Sequence, residues 1–225
     1  VIHAAAMSKS VDCQGNPTLA RKINVETTAR MAELFQDIPF FFFSTDLVFD
    51  GRKGNYVETD APNPLSVYAE TKLAAEQAVA QNPRHTVIRL ALCGGASPKG
   101  TTAFNEELQA TWRAGRVPKF FFDEYRTPIA APVVARAIWW LANRPPGGIF
   151  HIAGNKRLSR VELGQLVAQR HTELSPKFES ASLRDYQGPP RAPDTSLCCD
   201  KIQRLLPFQL PGLDEWLAAN PQESF

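Results

Sequence analysis

Pro39-Phe40-Phe41-Phe42-Phe43-Ser44-Thr45-Asp46 and Ser66-Val67-Tyr68-Ala69-Glu70-Thr71-Lys72-Leu73 are the two stretches that decide the fold. The first is a continuous apolar run bounded by Asp37 and Ser44, and it reads as a strand buried on both faces. The second opens on Ser66, a hydroxyl that can cap a helix, and runs without Gly or Pro through residue 81. Thr86 to Leu92 reads as another buried strand, so strand, helix and strand follow in order. The connection from Asp46 to Pro64 is rich in Gly, Asp, Asn and Pro, as a loop should be.

The same alternation extends outward. Val1-Ile2-His3-Ala4-Ala5-Ala6 looks like a buried parallel strand already in progress. Residues 17–36 place Leu19, Ile23, Ala29, Met31 and Leu34 at helical spacing. Downstream, a helix over 102–114 ends at Gly115, and Val117 to Phe122 is a strand. Pro132 to Ala142 is an apolar helix with proline in its first turn, and Gly148 to Ala153 is a strand. Ser159 and Glu162 form a capping box before a helix reaching about His171. Short helices follow near 200–206 and 212–219. This order predicts an α/β fold, a parallel sheet with helices on both faces, whose ligands bind at the carboxyl ends of the strands.

Composition excludes several classes. The chain has 225 residues, 44% hydrophobic and 21% charged, the mixture of a globular protein. No apolar run is long enough to cross a bilayer. A net charge of +2 is too balanced for a chain built on phosphate-backbone binding, so neither a nucleic acid nor a membrane is expected as partner. Cys13, Cys93, Cys198 and Cys199 lack C-x-x-C spacing, which points to reduced thiols and a cytoplasmic location. His3, His85, His151 and His171 lack metal-ligand spacing and read as structural, so no metal is expected. Trp139-Trp140 reads as core or as a helix–helix interface, and the Phe40–Phe43 and Phe120–Phe122 runs as buried strand.

The chemistry centres on Tyr68 and Lys72, one helical turn apart and therefore on one face. A phenol titrates near ~10, too high for easy proton exchange at neutral pH. A neighbouring ammonium favours the phenolate and should lower that value, making Tyr68 a general acid or base at a carbonyl or hydroxyl. The hydroxyl of Thr45 or Ser44 at the preceding strand end can hold the same oxygen. The pair alone is a weak signal. Its position, after a hydroxyl-bearing strand end and before another buried strand, is what raises it above a surface coincidence.

Phe43 to Gly51 and Pro64 to Leu73 together resemble the extended short-chain dehydrogenases/reductases, in the branch of the dTDP-4-dehydrorhamnose reductases. His3-Ala4-Ala5-Ala6, Ile23-Asn24-Val25, Tyr125-Arg126-Thr127-Pro128, Gly148 to Gly154 and Arg191-Ala192-Pro193-Asp194 match that branch as well. The resemblance implies a Rossmann-like parallel sheet with flanking helices over residues 1–95 and 126–154, and a small substrate-binding lobe over 96–125 and 155–225. It implies an NAD(P)H-dependent reductase of a 4-keto nucleotide-sugar, with NADP or NAD as cofactor. Thr45 would hold the substrate carbonyl, Tyr68 would be the general acid, and Lys72 would bond the nicotinamide ribose. Ala4, Ala5 and Ala6 would let the cofactor approach, Asp46 would touch the sugar, Arg191 would meet the substrate diphosphate, and Asn24 would support the site from behind. The helices over 17–36 and 66–81 could pair across a two-fold axis as a homodimer.

The resemblance also carries other outcomes: a non-catalytic subunit like the beta subunit of methionine adenosyltransferase, or a nucleotide-sugar epimerase or dehydratase. Members of the family begin with a strand, a glycine-rich turn and a helix that holds the cofactor pyrophosphate. None of the 13 glycines forms such a turn near Val1. The chain is therefore expected to be an N-terminally trimmed form that binds NAD(P) poorly. Three departures concern the sugar instead of the catalytic set: Leu90-Ala91-Leu92-Cys93 where that branch tends to place an aromatic, Ala130-Ala131-Pro132-Val133 where acidic residues are common, and Cys198-Cys199 in the tail.

Overall fold

A computed structural model describes residues 1–225. Its centre is a four-stranded parallel sheet in the order β1 (Ile2–His3), β2 (Phe41–Thr45), β3 (Thr86–Leu90) and, later in the chain, Gly148–Ile152. The register pairs Ile2 with Phe41, Phe42 with Val87 and Ile88 with Phe150. This Rossmann-like α/β architecture is the one expected.

Between β1 and β2 the chain forms α1 (Ser10–Gly15), α2 (Pro17–Arg21), a π-helical turn at Lys22–Glu26 and α3 (Thr27–Leu34). Helix α4 (Val67–Val79) joins β2 to β3, with the Ser66 side chain accepting from Ala69 N–H as its cap. After β3 come β4 (Cys93–Gly94), α5 (Phe104–Arg113), β5 (Lys119–Phe121), β6 (Tyr125–Arg126), β7 (Ile129–Ala130) and α6 (Ala131–Ala142). Strand β8 (Gly148–Ile152), β9 (Leu158–Ser159), α7 (Arg160–Arg170), β10 (Glu179–Ala181), α8 (Asp200–Gln203) and α9 (Leu213–Ala219) complete the chain. The capping box at α7 is present, with Ser159 and Glu162 each bonding the other's backbone N–H.

Strand periodicity explains the two cores. Phe40, Phe42 and Val87 face Ala32, Ala75 and Val79 of α3 and α4. Phe41, Ile88 and Phe150 face the other way, into a cluster with Val134, Ala137, Ile138 and Leu141 of α6. Each fully buried Phe contributes about 1.5–3 kcal/mol.

Four expectations are corrected. The opening strand is short and lies at the sheet edge, with Val1, Ile2, Ala4 and Ala5 exposed instead of buried. Trp139 and Trp140 are not core: they are 73% and 47% exposed. A buried stripe at Val133, Val134, Ala137, Ile138 and Leu141 leaves positions 139 and 140 facing out. Phe122 likewise lies outside the buried strand, beyond the end of β5. On the helices over 17–34 the buried positions are Ala20, Asn24, Thr28 and Ala32, while Leu19, Ile23 and Leu34 are exposed.

The tail returns to the sheet's carboxyl edge. Gly51 has φ +79°, and a Cβ there would lie 2.7 Å from the Pro193 and Asp194 nitrogens, so the loop after β2 packs directly on the tail backbone. Tyr56 N–H donates to Ser196 O and Cys198 N–H to Tyr56 O, both at 2.8 Å. This pairing carries Thr195 to the end of β2.

Candidate active site

A cleft of about 690 Å³ lies at the carboxyl ends of β2 and β3. It is lined by Ser44, Thr45 and Asp46 from the first, by Leu90, Leu92 and Cys93 after the second, by Tyr68 of α4, and by Tyr186, Pro189 and Arg191 of the tail. Thr45, Asp46, Tyr68 and Arg191 thus share one cavity. Lys72 and Ala4, Ala5 and Ala6 do not line it: Lys72 is buried behind Tyr68 on the same helix face, and Ala4 and Ala5 lie exposed after β1.

Thr45 is the pivot. Its Oγ1 accepts from Leu47 N–H at 3.2 Å, capping the short 3-10 turn Asp46–Val48, and donates to Asp46 Oδ1 at 3.2 Å. The same residue lines the cleft together with Tyr68. Asp46 Oδ2 accepts from Thr195 Oγ1 at 2.7 Å and lies 3.5 Å from Arg126 Nε. Both Asp46 oxygens are therefore engaged by the protein. Burial raises the Asp46 pKa, opposed by Arg126, Thr195, Thr45 and Arg160. The Ser44 hydroxyl is buried without a partner.

The phenol's acidity corrects the sequence argument. Burial first, then the Asp46 charge, pushes Tyr68 up to about 12, and Lys72 does not offset them. Lys72 itself is lowered to about 8 by burial, against the pull of Glu76. Its ammonium rests 4.1 Å from the centroid of the Phe42 ring. Desolvation of both groups outweighs their mutual proximity. The phenol stays protonated at neutral pH.

Asn24 sits in the π-helical turn, fully buried. Its Oδ1 accepts from Met7 N–H at 2.8 Å, and its Nδ2 donates to Met7 O and to Thr71 Oγ1, each at 3.0 Å. Thr71 donates in turn to Tyr68 O at 2.8 Å. One amide thus ties the segment after β1 to the helix bearing Tyr68 and Lys72.

Several site residues escaped the sequence reading. Glu124 is fully buried, and three arginines converge on it: Arg126 Nη2 and Arg160 Nε at 3.1 Å each, and Arg191 Nε at 2.8 Å. Their charges hold its carboxyl below the ordinary range against the opposing effect of burial. Arg126 links this cluster to Asp46. The acid–arginine alternation over Asp123-Glu124-Tyr125-Arg126 was the available signal, but it does not reveal that Arg160 and Arg191 converge there. Arg191 lines the cleft, but its guanidinium is spent largely on Glu124.

Comparisons with known proteins agree with this architecture. Residues 1–222 match the family model described as the RmlD substrate binding domain. The chain is 31% identical over 229 residues to the probable low-salt glycan biosynthesis reductase Agl14 of Haloferax volcanii, covering 97% of this chain and 75% of that protein. It is 26% identical to the methionine adenosyltransferase 2 subunit beta of Bos taurus, over 96% of this chain and 69% of that one. The fold matches, with TM-score 0.87 at 20% identity, the dTDP-4-dehydrorhamnose reductase of Bacillus anthracis solved in complex with NADP, over 97% of this chain and 78% of the other. With Thr45 and Tyr68 lining one cleft at the carboxyl edge of a parallel sheet and the family model spanning nearly every residue, the chain belongs to the RmlD-like, dTDP-4-dehydrorhamnose reductase-related branch of the extended short-chain dehydrogenases/reductases.

Proposed function

We propose that this protein is an oxidoreductase that reduces the keto group of a 4-keto nucleotide-sugar with NADPH or NADH. The observation that carries this reading is that Thr45 and Tyr68 line one cleft, with Lys72 buried one turn along the same helix. The substrate carbonyl oxygen accepts from both hydroxyls, which polarises the carbon. The nicotinamide cofactor, when bound, supplies the hydride to that carbon. Tyr68 passes its proton to the oxygen, giving the alcohol, and the phenolate left behind regains a proton from solvent. That phenolate lies on the helix face of Lys72, so its charge favours the ammonium form that burial otherwise discourages.

The residues fit a nicotinamide nucleotide in two respects. Lys72 makes no ion pair within the chain, which leaves its buried ammonium to be drawn toward a ribose hydroxyl when a cofactor binds. Ala4 and Ala5 are small and open beside the sheet edge. Asp46 borders the sugar position, and Arg191 with Arg160 supplies positive charge for a diphosphate. Residues 1–95 and 126–154 serve as the cofactor-binding core, with 96–125 and 155–225 as the substrate lobe. A cytoplasmic homodimer completes the reading, supported by free thiols and by exposed Leu19, Ile23 and Leu34.

The test is oxidation of NADPH or NADH followed by absorbance with dTDP-4-keto-6-deoxy sugar, at millimolar cofactor. Tyr68→Phe should lower kcat about 10²–10⁴-fold. Turnover unchanged in Tyr68→Phe defeats the assignment. A second reading, a binding subunit without turnover, is favoured by the similarity to the bovine adenosyltransferase subunit and by the weak acidity of Tyr68. Cofactor binding without oxidation under any of these substrates selects it.

A further inference from the structure

We propose that the outward face of α6 is a docking surface for a bilayer rich in anionic phospholipid, with Trp139, Trp140 and Leu205 entering the headgroup layer and Arg136, Arg144 and Arg204 meeting its phosphates. The proposal stands apart from the reductase reading, and none of these six residues lines the cleft.

Helical spacing builds the face. Arg136, Trp139, Trp140 and Arg144 stand at i, i+3, i+4 and i+8 along α6 and the turn that follows it, so they share one side. The other side is spent on the core, through Val133, Val134, Ala137, Ile138 and Leu141. The segment after α8 completes the face. Trp140 Nε1 donates to Leu205 O at 3.1 Å, and the Arg136 guanidinium lies 4.0 Å from the centroid of the Phe208 ring. These contacts hold 205–208 against α6 and set the exposed Leu205 and Arg204 beside the indoles.

Charge on this side is of one sign. No Asp or Glu occurs from Tyr125 to Val161 or from Lys201 to Leu213. The ion-paired arginines of the chain all lie elsewhere, so Arg136, Arg144 and Arg204 are uncompensated. Asp200 stands one turn before Arg204 and forms no ion pair with it. The net charge of +2 therefore conceals a cationic face, and the expectation of no membrane partner, drawn from that balance, does not extend to it.

The same features choose the occupant. A second copy across a two-fold axis would set arginine against arginine. A peptide needs a groove or a free strand edge. Trp139 projects from the surface instead of lining a groove. The nearby edge strand β8 is closed, because Lys201 Nζ donates to Ile149 O at 2.6 Å and His151 N–H donates to Glu58 Oε1 at 3.0 Å. A fluid headgroup layer needs neither feature: indoles settle at its level and arginines are drawn to its phosphates. Helix α6 has 12 residues, too few to cross a bilayer, so the contact is peripheral.

The experiment mixes the full chain with vesicles of phosphatidylglycerol and phosphatidylcholine in equal parts, or of phosphatidylcholine alone, and follows co-sedimentation and indole emission. Trp112 and Trp216 are buried, so a blue shift on binding reports Trp139 and Trp140. The parent chain should bind the anionic vesicles at least tenfold more tightly than the neutral ones, with a blue shift, and about 0.5 M salt should release it. Trp139→Ala should weaken binding at least fivefold. Arg136→Gln, Arg144→Gln and Arg204→Gln together should weaken it at least tenfold, since each basic side chain at such a surface contributes about fivefold. Arg21→Gln, Arg30→Gln and Arg116→Gln together remove the same charge from other exposed positions and should leave binding within twofold of the parent. Failure of the parent to bind anionic vesicles overturns the proposal, as does undiminished binding by Trp139→Ala or by the α6-face triple variant. An equal loss in the two triple variants also overturns it, because net charge is then the cause. Binding of soluble poly-glutamate without binding of vesicles overturns it in favour of an acidic protein.

Discussion

His151 illustrates how much one buried side chain can decide. It lies at the end of β8 with Nδ1 3.1 Å from Tyr56 O and with Nε2 unpartnered. Burial first, and then the Arg89 charge, lowers its pKa to about 3. The folded protein keeps the imidazole neutral, whereas the unfolded chain takes up a proton below about 6.5. Between those values the unfolded state binds more protons, so stability rises with pH and is lost as pH falls from about 6.5 toward 3. Urea unfolding at pH 7 and pH 5 should show this loss, and His151→Gln should recover about 2 kcal/mol of the difference. An equal loss in both proteins assigns the acid sensitivity elsewhere. Residues of this kind mark what a sequence can convey. Tyr68 and Lys72 were legible because a helix makes them neighbours four positions apart. Thr195 meets Asp46 across 149 residues, and no local pattern encodes that contact. The phenol's acidity was misread for a related reason: spacing reports that an ammonium is near, but not that both groups are desolvated.

Elements were read well where one period held and poorly where it changed. The strands through Phe42 and Ile88 and helix α4 obey a single repeat from end to end. The stretch over 17–34 does not, because its π-helical turn adds a residue and shifts the facing positions. The buried stripe consequently runs through Ala20, Asn24, Thr28 and Ala32, and the larger apolar side chains turn outward. Asn24 gives that irregular turn its use, since its amide satisfies both backbone groups of Met7 and reaches Thr71. Asn24→Ala leaves buried polar groups unpaired and should cost about 1–3 kcal/mol in thermal or urea unfolding. Full stability in that variant means that other groups or water replace the amide. The Trp139–Trp140 pair belongs to the same lesson: adjacent positions on a helix diverge by about 100°, and the apolar run of α6 was wider than the face it buries.

At the scale of the whole molecule, three separate segments meet at Glu124: β6 through Arg126, α7 through Arg160 and the tail through Arg191. This meeting places the tail residues Tyr186 to Ala192 along the cleft. Packing contributes little there, since most of that stretch is exposed. A carboxyl held below its usual range in the fold stabilises it above the unfolded value, and this contribution is lost as pH falls through the folded value. Glu124→Gln imitates that acid form at neutral pH. Trypsin should then cut after Arg184 and Arg191 at least tenfold faster than in the parent chain, and equal rates refute the expectation. Take away one negative charge, and three fasteners become three cations pushing one another apart at the rim of the cleft.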